Sequence, residues 1–227
     1  LVSIILDGVE NVVVKGNEFT TLVGDNFESK TISVIRGCNL CNITDNNIFI
    51  NSESYYAYAI TVSEPQGSLV KRFSSNFTIK NNNIIIKSGG VAEAMYFDSL
   101  VESEITDNCI NIISDGSAYG IAVCDVIGRP HDILIKSNKI IANSKDMSYP
   151  IELYRADNCN IIDNYVKVTS NGVYAIGVYN STSTVNKNEI IVVGRNLTSL
   201  PQVDVLGKGN SAVYLAKQSH MKEFINN

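Results

Sequence analysis

Ile43-Thr44-Asp45-Asn46-Asn47-Ile48 is a six-residue phrase that this chain repeats. It returns as Ile79-Lys80-Asn81-Asn82-Asn83-Ile84, as Ile105-Thr106-Asp107-Asn108-Cys109-Ile110 and as Ile135-Lys136-Ser137-Asn138-Lys139-Ile140. Looser copies are Val14-Lys15-Gly16-Asn17-Glu18-Phe19, Ile161-Ile162-Asp163-Asn164-Tyr165-Val166 and Val185-Asn186-Lys187-Asn188-Glu189-Ile190. The template is I-x-x-N-x-I, with its Asn at 17, 46, 82, 108, 138, 164 and 188, at gaps of 29, 36, 26, 30, 26 and 24. A fixed phrase at such a period marks a repeat array, in which each unit buries its apolar face against the next.

A second phrase, Y-A-I-x-V, sits about half a repeat later. Copies are Tyr58-Ala59-Ile60-Thr61-Val62, Tyr119-Gly120-Ile121-Ala122-Val123, Tyr149-Pro150-Ile151-Glu152-Leu153 and Tyr174-Ala175-Ile176-Gly177-Val178. Weaker ones are Glu93-Ala94-Met95-Tyr96-Phe97 and Ser211-Ala212-Val213-Tyr214-Leu215. Both phrases alternate apolar and polar residues as strands do. Composition agrees: 27 Asn, 29 Ile and 23 Val stand against 12 Leu in 227 residues. β-Branched residues favour strands and Asn favours turns, so a helix bundle and a leucine-rich repeat are both excluded.

These units fit a parallel β-solenoid in which equivalent residues stack coil on coil, about 4.8 Å apart. The repeated Asn is expected at a tight left-handed bend, with its amide bonded to the Asn above and below. Ile60, Met95, Ile121, Ile151, Ile176 and Val213 are expected to point inward. Thr61, Tyr96, Ala122, Glu152, Gly177 and Tyr214 then point outward, followed two positions on by Ser63, Asp98, Cys124, Tyr154, Tyr179 and Ala216. Tyr58, Tyr119, Tyr149 and Tyr174 share one register and are expected to form a structural stack.

The pattern resembles the right-handed parallel β-helix repeat of the pectate-lyase-like superfamily over nearly the whole chain. The resemblance implies an all-β, right-handed parallel β-helix of about seven coils of roughly 24–36 residues, with an internal Asn ladder at Asn17, Asn46, Asn82, Asn108, Asn138, Asn164, Asn188 and Asn227. In that family the ladder lies between the second and third strands, and Y-A-I-x-V would be the first. Residues 1–227 read as a single β-helix domain that starts and stops in mid-coil, as a segment of a longer solenoid would.

Enzymes of that family work on the outer face of the first strand, with acidic residues and sometimes Arg, Lys or calcium. Mapped here, the face offers Asp98, Asp125 and Glu152 on successive coils with Arg155 nearby, a set of carboxylates able to act as general acid and base. Acidic residues also solvate exposed sheet faces without any chemistry. The aromatic faces of Tyr96, Tyr154, Tyr179 and Tyr214 suit contact with sugar rings. Insertions at Glu64–Ser75, Asp125–Asp132 and Gly194–Asn210 enlarge the coils; the first two follow the first strand, and a groove between them and the strand face is the expected site.

The remaining signals bound the function. His131 and His220 read as loop residues and suggest no Ser-His-Asp set. Cys38, Cys41, Cys109, Cys124 and Cys159 form no disulfide framework, and the single Cys38/Cys41 pair reads as small buried thiols. No metal site is read, and calcium is the one cofactor the resemblance allows. Asn42, Asn76, Asn180 and Asn196 lie in N-x-S/T sequons, compatible with a secreted protein. The net charge of −5 is spread along the chain without a basic stripe, which argues against nucleic acid. The longest apolar runs, such as Ile84-Ile85-Ile86, are too short to enter a membrane as a helix.

The expected function is an extracellular, adhesin-like or cell-surface module that is structural and touches cell-surface or environmental polysaccharide. The likeness extends to the Asn-rich adhesin-like proteins of methanogenic archaea. The alternative is a lyase, hydrolase or epimerase acting on acidic polysaccharide through the first-strand carboxylates. Self-association of an open solenoid end is a third reading.

Overall fold

The computed structural model describes residues 1–25, 27–53, 56–65, 68, 70, 72–126 and 128–194, and the backbone of Asn210–Leu215 and His220–Ile225. The chain winds through three parallel sheets in turn, one strand per sheet per coil. Sheet 1 has eight strands: Val2–Asp7, Ser29–Ile35, Ala57–Val62, Ala92–Phe97, Ala118–Cys124, Met147–Tyr154, Gly172–Tyr179 and Asn210–Leu215. Sheet 2 runs from Val13–Lys15 through strands such as Leu100–Thr106 and His131–Lys136 to His220–Ile225. Sheet 3 has seven strands, from Glu18–Val23 to Glu189–Gly194. Among the described residues there is no helix, so none is long and apolar enough to cross a membrane.

The register is the one the repeats predict. Ile48, Ile84, Ile110, Ile140 and Val166 are aligned across sheet 3. Ile43, Ile79, Ile105, Ile135, Ile161 and Val185 are aligned across sheet 2. Ile32, Ile60, Met95, Ile121, Ile151 and Ile176 are aligned across sheet 1. All of these are buried and converge in one core that runs the length of the coil stack. β-Branched side chains have few rotamers to lose and pack well on a pleated surface, which is why Ile dominates these columns.

The Asn ladder lies in the bend between sheets 2 and 3. Asn17 Nδ2 donates to Asn46 Oδ1 at 3.0 Å, Asn46 to Asn82 at 3.0 Å, and Asn82 to Asn108 at 3.0 Å. Asn108 donates to Asn138 at 2.9 Å, Asn138 to Asn164 at 3.1 Å, and Asn164 to Asn188 at 2.9 Å. Each Oδ1 also accepts the backbone N–H of the preceding ladder residue, as Asn138 Oδ1 does from Asn108 N at 3.0 Å. The second Nδ2 proton goes to a carbonyl of the previous coil, as from Asn108 to Ile79 O at 2.9 Å. Both donors and the acceptor of each interior amide are therefore used, which is what allows so polar a group to be fully buried. Asn227 lies outside the described residues.

One detail corrects the expected bend. The left-handed residue is not the ladder Asn but the one before it: Gly16, Asp45, Asn81, Asp107, Ser137, Asp163 and Lys187, with φ between 53° and 67°. The bend at that exposed position turns the following side chain inward. The ladder position thus selects Asn for its amide, while Asp, Asn and Ser before it tolerate the left-handed backbone. A second buried polar column, Ser52, Ser88, Ser114 and Ser144, closes sheet 3, and Ser144 Oγ lies 2.8 Å from Ser170 Oγ. It was not read from the sequence.

Two more expectations change. His131 opens the strand His131–Lys136, with Nδ1 2.8 Å from Asp132 Oδ2, and His220 opens His220–Ile225, so neither belongs to a loop. The five cysteines are free, as expected, and Cys38, Cys41 and Cys159 are buried in the coil stack. Burial pushes the Cys159 thiol up to about 12, which leaves it neutral and a poor metal ligand.

The ladder yields a direct test. Asn108→Leu leaves the backbone N–H and amide of Asn82 without their acceptor. Two orphaned buried donors are expected to lower the unfolding free energy by about 2–5 kcal/mol. Asn83→Ala, on the exposed side of the same bend, is expected to change it by less than ~0.5 kcal/mol. Denaturant titration of the two variants checks both.

Candidate functional site on the outer face of sheet 1

Three rows of side chains project from sheet 1, away from the core. The first row is Lys30, Tyr58, Glu93, Tyr119 and Tyr149. The second is Ser33, Thr61, Tyr96, Ala122, Glu152 and Gly177. Cys124, Tyr154 and Tyr179 share the third, where Asp98 follows the end of its strand. These rows match the alternation read from the sequence. The face is far less exposed than expected, however: Thr61, Ala122 and Asp98 are all buried. Large tyrosines fold over the small residues. Gly177 is the clearest case, since a Cβ there would stand 2.8 Å from the Tyr179 ring.

The expected four-tyrosine stack is broken. Tyr119 and Tyr149 stack at 4.9 Å between centroids, while Tyr149 and Tyr174 lie 5.5 Å apart with their rings tilted by 32°. Glu93 occupies the same register between Tyr58 and Tyr119 and separates them. Tyr58 instead lies against Tyr56 at 6.0 Å and Tyr96 at 6.3 Å, with the Lys30 ammonium 5.6 Å from its ring.

Glu93 is the residue that sequence reasoning missed, although its place in a tyrosine register was the available signal. Burial pushes its carboxyl from the ordinary 4.5 up to about 8, reinforced by the charge of Glu152 and opposed by a hydrogen bond from Tyr58. Burial also raises Glu152, to about 7. Asp98 is raised to about 6 by burial, although the Glu64 N–H and Ser99 bond to it. Three carboxyl groups of one sheet face thus titrate near neutrality, a feature of acid–base sites and equally of crowded polar surfaces. The Cys124 thiol beside them is pushed up by burial and by the same carboxylates.

The other predicted residues divide. Asp125 and Arg155 meet each other, with Nε 3.2 Å from Oδ2, so Arg155 is committed to an ion pair. Tyr154 and Tyr179 are neighbours at 6.3 Å, and Tyr154 is exposed. The side chain of Tyr214 lies outside the described residues. Among the described residues no three His, Cys, Asp or Glu side chains come together as a metal site.

A groove of about 610 Å³ runs over the early coils of this face. Glu28, Lys30, Tyr58, Thr61, Glu64, Tyr96 and Asp98 line it, with Pro65 and Val126 contributed by the two insertions. The insertions also meet at their bases, where Phe73 packs 6.4 Å from His131 and would contact a Cβ at Gly128. This bears out the expected side of the coil stack. The Gly194–Asn210 insertion lies almost wholly outside the described residues.

No family model and no curated protein matches the chain. Two solved structures show partial likeness. One is the enzymatically active domain of bacteriophage CBA120 tailspike protein 2, with 10% identity and a TM-score of 0.21, over 97% of this chain and 43% of that one. The other is the full-length tailspike protein 2 from the Escherichia coli O157:H7 bacteriophage CAB120, with 11% identity and a TM-score of 0.21, over 98% of this chain and 38% of that one. The chain spans less than half the length of either, and a likeness at this TM-score carries no argument.

The raised carboxyls make stability depend on pH. Glu93, Glu152 and Asp98 bind protons more tightly folded than unfolded, so between about pH 4 and 8 the folded state holds more protons. Their contribution is full below the unfolded values and is lost as pH rises through 6 to 8. Unfolding free energy is expected to fall by several kcal/mol from pH 5 to pH 8.5, and Glu93→Gln to flatten that slope. Denaturant titrations at the two pH values check it.

Proposed function

We propose that residues 1–227 act as one extracellular or cell-surface β-helix unit that contacts polysaccharide through the outer face of sheet 1. The observation that carries this reading is the groove itself. It combines flat aromatic walls at Tyr58 and Tyr96, short hydroxyls at Ser33, Thr61 and Ser63, and carboxyl groups, all but the loop contributions borne on stacked rigid strands. Aromatic faces suit the apolar sides of sugar rings, and the polar groups suit their hydroxyls. The Tyr154–Tyr179 pair on later coils extends the contact surface along the same sheet. A long repetitive ligand matches a long repetitive face.

A second reading, catalysis, is favoured by one specific feature. Glu93, Asp98 and Glu152 reach neutrality still partly protonated, so the face offers both a proton donor and an ionised carboxylate at one pH. That arrangement suits glycoside hydrolysis more than lyase chemistry, because Arg155 is paired with Asp125.

Glycan-array binding followed by calorimetry tests the contact. Double substitution Tyr154→Ala/Tyr179→Ala is expected to weaken binding of a long polysaccharide by roughly tenfold. No binding to any glycan would refute the proposal. Release of new reducing ends that disappears in Asp98→Asn or Glu152→Gln would establish the catalytic reading.

A further inference from the structure

The charges around the groove are unevenly satisfied. Lys30 Nζ lies 2.8 Å from Glu28 Oε1, and its charge also reaches Asp98, where it opposes the effect of burial. Arg155 is held by Asp125, and Arg129 by Asp157 at 2.7 Å. On the acidic side, Glu64 is only 8% exposed, and both of its carboxylate oxygens are buried without a hydrogen-bond partner. Its main-chain N–H donates to Asp98 Oδ1 at 3.3 Å, which brings a second buried carboxyl beside it on the next coil. Both residues line the groove together with Tyr58 and Tyr96.

An unpartnered buried carboxylate is costly in the free protein. Such a group is retained most readily where a cationic or donor-rich ligand completes it. Among the described residues no three His, Cys, Asp or Glu side chains come together there. Two carboxyls beside two aromatic rings match a primary ammonium, with three donors and an affinity for π faces. The Lys30 ammonium near the Tyr58 ring is an example on the same face.

Resting on the polysaccharide reading above, we infer that this groove selects glycans bearing free amino groups, seating a sugar ammonium between the carboxyls of Glu64 and Asp98. The ring of the amino sugar lies along Tyr58 and Tyr96, and its hydroxyls meet Ser63. Uronic acids are disfavoured, because their carboxylates would face Glu64 and Asp98 while Lys30 is engaged by Glu28 and Arg155 by Asp125. This reverses the acidic-polysaccharide expectation. The Glu64 oxygens are shielded from bulk water in the free protein, so the Glu64 side chain turns into the groove to meet the ammonium.

Calorimetry on the whole chain with chitosan hexamer, N-acetylated chitin hexamer, hexagalacturonate and hexalysine tests the inference. The chitosan hexamer is expected to bind at least about tenfold more tightly than the other three. Glu64→Gln is expected to abolish that preference while leaving the melting temperature unchanged or higher, since it removes an unpaired buried charge. Equal binding of the acetylated or uronate oligomer overturns the amine assignment and leaves the polysaccharide reading standing. Equal binding of hexalysine overturns the sugar assignment. Loss of the preference in Glu64→Gln only with a lowered melting temperature is decided by Asp98→Asn: a retained preference there overturns the site. Absence of binding by all four overturns the polysaccharide reading and this inference together.

Discussion

Six successive coils of this protein, from Asn46 to Asn188, each hang on one buried amide. A side-chain amide has two donors and an acceptor with two lone pairs, and in a dry interior each must find a partner. The ladder satisfies all of them by repetition: the Asn above supplies what the Asn below needs. From Asn46 to Asn164 the same bonds recur at 2.8–3.1 Å although the coils differ in length. That constraint holds the coils in register, and the Ile columns on either side convert the register into a core. Insertions such as 63–73 are tolerated because they leave the chain after sheet 1 and return before the ladder.

The same register places the candidate site. An aligned bend on one side of the coil aligns sheet 1 on the other, so residues far apart in sequence become vertical neighbours. Glu93 and Glu152 are 59 positions apart, yet they lie two coils apart on one face, and the charge of Glu152 raises the Glu93 carboxyl. Burial then raises the carboxyl groups of that face. Tyrosines that lean over small residues exclude water from the carboxyls, and the protonated forms gain at neutral pH. A groove built this way is stiff, since its floor is sheet and only its rims are loop.

Much of this was legible in the sequence, for a physical reason. A ladder demands one residue type at one position in every coil, and strict demand leaves a visible phrase. Hence Asn17 through Asn188, the inward Ile columns and the outward row from Thr61 to Gly177 could all be read directly, while the three-sheet order came from the family resemblance. The site was legible only in part. Asp98 and Glu152 were placed on the correct face, but Glu93 was hidden inside a weak copy of the tyrosine phrase, and Glu64 lay in an insertion with no register at all. The pairing of Arg155 with Asp125 depends on side-chain reach across coils, which spacing does not report. The left-handed position was misassigned by one residue, because Asn tolerates that conformation and so drew the inference toward itself.

The account stands or falls with the ladder, and side-chain amide hydrogen exchange reads it most directly. By NMR, the Nδ2 protons of Asn46, Asn82, Asn108, Asn138 and Asn164 are expected to exchange slowly, among the most protected protons in the protein. Those of Asn76 and Asn81, on the exposed side of their bends, are expected to exchange fast. Exchange of the five ladder amides at the rate of Asn76 and Asn81 would contradict the structure at its foundation.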